Sequence, residues 1–441
     1  MFKIFANAWR VEDIRKKLLF IFLLLLIYRF GSAIPLPGID LELLNMVRYG
    51  YGGLGPNAQT VFSMLAGGGL GSVFVMGIAP YITSSIIMQL LTYAIPQLSA
   101  MQKEGEDGRK KIQQITRYLA VALAALQGAA TVFSYVNWPP GQAQVNLFRE
   151  GHQNIFVYAM ATLAMMAGTI FIMWLAELLT EKGIGNGASF LIFANILAGL
   201  PGGAMMLWMM VTNNTSVGTI AQVIILLVVF VAIIAFVVLV HEGERRIPVQ
   251  YSRKAAGGGG GAFGRNHNSY IPLKVNIAGV LSIIFAMSLL QFPVQISGFF
   301  PNNTFWATIA SYLNFQGGLH WIGAVIYVVL IFAFTHFYTS FAVNPVEMAE
   351  NMKRNGGFIP GIRPGKPTSD FIQTTVNRLS WIGAVFYSLI ALTPILLDMA
   401  VRDVQLGFGG TSLLIVTGVA LEFVKQLESQ LLMRHYKGFL E

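Results

Sequence analysis

Ionisable groups are scarce where this chain is apolar. Within its long hydrophobic segments only Arg29 and His336 sit mid-segment, while Glu177, His241, Asp398 and Glu422 lie toward segment ends. Ion-coupled transport needs buried carboxylates or imidazoles that take up and release ions, so this set argues against it. Enzyme signatures are equally thin. No H-E-x-x-H zinc pair occurs, and with no cysteine there is no thiol nucleophile, disulfide or Cys-ligated metal. Gly187-Ala188-Ser189 with the remote His336 is a three-residue match to an intramembrane serine protease, but small residues in such segments ordinarily serve helix packing. The run PGIRPGKPT (360–368) fails as a phosphate loop, because Pro360 replaces the first glycine and Pro367 follows Lys366. No catalytic residue, metal or cofactor is therefore expected, and any energy source must be a partner.

What remains is apolar and hydroxylic. Ile82 and Ile86 stand one helical turn apart beside Thr83, Ser84 and Ser85, with Gln89 one turn on. Ala188 and Ile192, then Ile283 and Ile284, then Ile415 open further apolar segments. A ring of such side chains from several helices makes a hydrophobic constriction that excludes ions by dewetting yet deforms around a passing chain. A single isoleucine in such a segment ordinarily faces lipid or packs, so this reading requires convergence. The polar residues Thr83, Gln89, Gln127 and Ser288 are expected at a seam between helices, where each hydrogen bond contributes only about 0.6 kcal/mol. Such a seam can hold shut and still part.

The elements that must carry these residues are membrane spans. The 441 residues are 55% hydrophobic and 11% charged, with mean hydropathy +0.62, the composition of an all-α polytopic membrane protein. Spans of about 20 residues fit at 18–36, 72–92, 115–135, 154–176, 187–210, 217–240, 274–297, 319–341, 376–397 and 409–428. The fifth is interrupted by Pro201, Gly202 and Gly203. Of the 29 Lys and Arg, Arg48, Arg149 and Arg402 fall on one side and Arg29 within a span; all others share the side of both termini, which is therefore cytoplasmic. An even count with an odd number of spans per half predicts two inverted five-helix halves around a central pathway. The divisions are 1–210, then 211–273 (the sixth span and its loop), then 274–441. Residues 61–91 are broken by Gly67 to Gly71 and by Pro80, which a plain anchor has no use for. Irregular backbone at that depth belongs where protein or an aqueous cavity surrounds it, so the stretch points to a pore or a moving gate. Two long basic loops, 241–276 and 344–371, are expected as turns rather than helix. The tract Gly257–Gly261 reads as a flexible linker, natural or introduced.

Several blocks together resemble the SecY family of protein-translocation channels. They are GIAPYITSSIIMQLL (77–91), KEGEDGRKKIQQITRY (103–118), GIGNGASFLIFANI (183–196), RRIPVQYSRK (245–254), YIPLKVNIAGV (270–280), GGFIPGIRPGKPT (356–368) and GGTSLLIV (409–416). The resemblance implies an hourglass pore with a half-helix plug at about 60–71, including Phe62, Leu65, Gly67, Gly68, Gly69 and Leu70. It implies a pore ring of Ile82, Ile86, Ala188, Ile192, Ile284 and Ile415, with Ala188 smaller than the usual ring residue. It implies a lateral gate between spans 2–3 and 7–8 that carries Thr83, Gln89, Gln127 and Ser288 and through which signal sequences reach lipid. It implies docking of the SecA ATPase or the ribosome at Arg253, Lys254, Arg363 and Lys366, with SecE and SecG as companion subunits in a bacterial plasma membrane. Ser282 stands where the family usually has a proline, and Gly257–Gly261 replaces a basic loop tip. The rival readings from other classes are an inverted-repeat solute transporter, which would need a charged midplane site, and the protease, which would need Ser189.

Overall fold

The computed structural model describes residues 7–44, 69, 71–136, 146–151, 153–213, 217–251, 269–275, 277, 279–297, 300, 303–313, 321–400 and 410–437. Every expected span contains one helix. These are α1 (Glu12–Ser32), α2 (Ala79–Ala94), α4 (Glu106–Val136), α5 (Ile155–Lys182), α6 (Gly187–Asn213), α7 (Val217–Glu242), α8 (Leu281–Ser297), α10 (Trp321–Ala342), α12 (Lys366–Ala400) and α13 (Gly410–Lys437). Shorter helices α3 (Pro96–Lys103), α9 (Thr304–Leu313) and α11 (Pro345–Arg354) lie between them. Six of the helices are long and apolar enough to cross a membrane by themselves; α8 qualifies only as a shorter apolar helix.

Packing repeats along the chain. In the first half α2 packs on α4, α4 on α5 and α5 on α6; in the second, α8 packs on α10, α10 on α12 and α12 on α13. The halves meet along two seams, α8 against α2 and α4, and α13 with α7 against α6. Between the seams lies the main core, which joins α1, α2, α5, α6, α8, α10, α12 and α13.

The second span starts later than expected. Residues 71–78 are turns, and the helix begins only at Ala79. Gly71 and Gly77 have φ of 76° and 55°, values that side chains rarely adopt. This irregular backbone is enclosed by protein: Phe74, Val75, Met76 and Ile78 are buried, and Leu36 and Val73 exchange backbone bonds with Gly71 and Ile34. Gly168 of α5 permits the approach, since a Cβ there would lie 2.5 Å from the Val73 carbonyl oxygen. Pro201, by contrast, does not interrupt its span; α6 continues through it.

The long loops depart most from expectation. β1 (Glu244–Tyr251) and β2 (Ser269–Lys274) pair antiparallel, and β1 also pairs β3 (Gly357–Phe358) from the other loop, giving the order β2-β1-β3. Ile247 and Val249 alternate inward along β1 while their neighbours face out, the period-2 pattern of a half-buried strand. The second loop is not all turns, because α11 is a helix. Asn344 caps it by accepting from the Glu347 N–H, Pro345 occupies its first turn, and Lys353 and Arg354 sit in its last. Met352, Ile247, Val249, Leu273, Ile359 and Ile372 then close a small separate core that binds both loops to α12.

Candidate functional site: an apolar constriction and a β-sheet platform

All six expected ring residues belong to one cluster. Ile82 and Ile86 on α2, Ile192 on α6, Ile284 on α8 and Ile415 on α13 are buried in it, and Ala188 packs against it. Burying branched side chains of this size removes each from water at about 1.5–3 kcal/mol, with no directional bond to break on rearrangement.

Four of the six also line a cavity of about 930 Å³: Ile82, Ala188, Ile192 and Ile284. Its other walls grade from apolar to charged. They include Ser85, Gln89 and Tyr338, and Lys110, Gln113, Arg117, Glu177 and Glu181 from the first part of α4 and the last part of α5. Glu177 is held by two partners, Arg117 Nε at 2.7 Å and Gln113 Nε2 at 3.2 Å. The cavity is thus a funnel, charged toward the start of α4 and the end of α5 and isoleucine-lined away from them.

The polar residues of the expected gate lie on the helices of the first seam. Thr83 is buried and its hydroxyl donates to Ala79 of its own helix, while Gln89 donates to Ser85 one turn back. Gln127 of α4 is buried, and Ser288 of α8 half-buried. The interhelical bond here runs from Ser84 Oγ to the Thr116 carbonyl at 2.6 Å, tying α2 to α4 within one half. Across the seam, Tyr93 of α2 meets Phe337 of α10 edge-on at 5.6 Å. Hydroxyl groups on a membrane helix find a carbonyl on their own helix one turn back at no packing cost, which leaves little to span the seam.

On the platform, Arg363 and Lys366 are exposed. The turn that presents Arg363 runs between Gly361 and Gly365, with φ of 83° and 105°. Thr368 Oγ1 donates to the Arg363 carbonyl at 2.9 Å, and its backbone N–H donates to Gly365. The backbone bearing the guanidinium is therefore fixed at the start of α12.

Several expected residues fall outside the described ones: Phe62, Leu65, Gly67, Gly68 and Leu70 of the plug, Arg253 and Lys254 of the first loop, and the Gly257–Gly261 tract. Gly69 is described, and its carbonyl accepts from the Ser72 N–H. The charged mouth was missed by reading the sequence; the weak signal for it was Glu177 near a span end. His336, the other half of the protease reading, has Nδ1 3.0 Å from Ser380 Oγ on α12 rather than from Ser189. Among the described residues no group of acidic or histidine side chains is placed to hold a metal.

The SecY family profile matches residues 72–424. Relatives include the protein translocase subunit SecY of Streptomyces galbus, 43% identical over 445 residues, and that of Halalkalibacterium halodurans, 39% identical over 452, each match covering all of both chains. Among solved structures, a protein-conducting channel superposes with a TM-score of 0.65 at 18% identity, covering 93% of this chain and 90% of the other. Sec61 from a canine ribosome–channel complex superposes with 0.64 at 17%, over 93% and 90%. The fold is thus that of these channels, and the chain belongs to the SecY family.

Proposed function

We propose that the chain is the passive, gated, protein-conducting channel of a Sec translocon. Unfolded preproteins cross the membrane between its two halves, while hydrophobic segments leave sideways between α2/α4 and α8/α10. The observation that carries this reading is the funnel whose depth is closed by isoleucines from separate helices of both halves. Apolar side chains with no fixed bonds seal against ions when closed and yield to a polypeptide of any sequence. A solute transporter would instead present fixed, charged ligands at the same depth.

The remaining roles follow on the same reading. The segment around 60–71 acts as a plug on the external side, and both termini lie in the cytoplasm of a bacterium with the protein in its plasma membrane. SecE and SecG accompany the channel. SecA or a ribosome docks on the β-sheet platform through Arg363, Lys366 and the basic pair Arg253 and Lys254, supplying the energy that this chain has no residues to extract. Its 43% identity with a translocase subunit over full length supports a translocase role; the likeness to the ribosome-bound Sec61, at 17% identity, supports only the fold.

Reconstitution into vesicles with SecE and SecA tests the reading. ATP-dependent uptake of a preprotein is expected; uptake of small solutes with no preprotein transport would favour the transporter.

A further inference from the structure

The helix α9 joins α8 to α10 at the end of these helices away from the β-sheet platform, and one of its faces is exposed. Trp306, Ile309 and Leu313, spaced i, i+3, i+7, turn inward, and Leu313 packs against the main core. Trp306 stacks on Phe300 at 6.1 Å. The end of α9 sits directly on α10, where a Cβ at Gly323 would lie 2.5 Å from the Tyr312 carbonyl oxygen. The outward face carries Phe305, Thr308 and Tyr312, with Phe305 64% and Tyr312 42% exposed.

Three observations define what fits this face. Its aliphatic hydroxyls are satisfied within the helix, since Thr308 donates to the Thr304 carbonyl at 2.7 Å and Ser311 to that of Thr308 at 2.8 Å. Its leading N–H is satisfied by Asn303. No Asp, Glu, Lys or Arg occurs between Lys274 and Glu347, so neither a charged partner nor an anionic headgroup is selected by charge. The helix it packs on, α10, carries its own exposed stripe, Trp321, Val325 and Val329, which has the spacing and composition of a lipid-facing surface. Aromatic residues with satisfied polar atoms partition to the boundary between headgroups and acyl chains.

We propose that the outward face of α9 lies in that boundary and anchors the external ends of α8 and α10, one side of the lateral seam, to lipid. The inference rests on the membrane-spanning reading and not on the transported substrate, so a translocation assay run on the same vesicles separates its failure from that of the channel function. Because the natural chain has no cysteine, Ala307→Cys and Ser311→Cys on α9 and Glu350→Cys on α11 give single labelling sites. The labelled full-length chain with SecE is placed in phosphatidylcholine vesicles, with and without added phosphatidylglycerol. The expected result is several-fold stronger quenching of the α9 labels by headgroup-proximal spin-labelled lipid than by aqueous iodide, the reverse for position 350, and no dependence on phosphatidylglycerol or salt. Adding Phe305→Ser and Tyr312→Ser should shift the α9 label toward iodide. Iodide-dominated quenching of the unmodified face would overturn the proposal, as would protection from both quenchers, which would mean that protein covers it. A strong dependence on phosphatidylglycerol would likewise overturn it in favour of charge-driven binding.

Discussion

The constriction and the platform are built from opposite kinds of interaction. At the constriction, side chains from α2, α6, α8 and α13 meet through apolar contact alone, and the bond nearby, Ser84 to Thr116, lies within one half. On the platform a backbone ladder joins β2, β1 and β3, a capped helix packs beneath them, and Thr368 fixes the turn carrying Arg363. Undirected contacts lose little when partners slide past one another, whereas a hydrogen-bonded ladder breaks stepwise, each buried unpaired group costing about 1–3 kcal/mol. The difference assigns deformation to the first region and fixed presentation to the second.

The contrast can be broken most severely by charge at the platform. Arg363→Glu should cut SecA-driven preprotein transport by at least about tenfold, since like charges at a docking contact cost several kcal/mol, while SecE still co-purifies. Normal transport in that variant would remove the docking role. Next comes the seal. Ile415→Asn buries an amide among isoleucines at a cost of about 1–3 kcal/mol and should raise ion conductance of the resting channel in planar bilayers several-fold; unchanged conductance would contradict a seal at this depth. Thr368→Val keeps the shape but frees the Arg363 carbonyl, a loss of about 1 kcal/mol. It should weaken SecA binding by roughly fivefold without changing resting conductance. The smallest effect belongs to Ser84→Ala, because a bond of about 0.6 kcal/mol within one half does not govern opening. Transport within about twofold of the unsubstituted protein is expected, and a large change would mean that the seam is held by hydrogen bonds after all.

The sequence disclosed the spans through composition and the candidate isoleucines through helical spacing, whereas their convergence came only with the resemblance and with the packing of α2, α6, α8 and α13. It did not disclose where α2 starts, since the glycines and Pro80 marked a break in the stretch without showing that the turns, with Gly71 and Gly77 at positive φ, run on to residue 78. The platform was obscured for a different reason. Proline and glycine in the two loops signalled turns, yet Ile247 and Val249 alternate as a strand does, and Asn344-Pro345 with Glu347 is a helix start. Pairing of Gln250 with Phe358, like the Arg117–Glu177 bond across 60 positions, joins parts of the chain that local pattern cannot relate. The hydroxyl of Thr83 is satisfied within its own helix, as Gln89 is by Ser85, and residue type and spacing do not reveal such a choice of partner.

One measurement bears on the central claim directly. A preprotein carrying a single cysteine is stalled during SecA-driven transport through channels with Ile82→Cys, Ile284→Cys or, as a lipid-facing control, Leu23→Cys; Leu23 is exposed on α1. Disulfides are expected at positions 82 and 284 and not at 23. Efficient transport with no cross-link at either isoleucine position would show that the chain crosses elsewhere and would contradict the account.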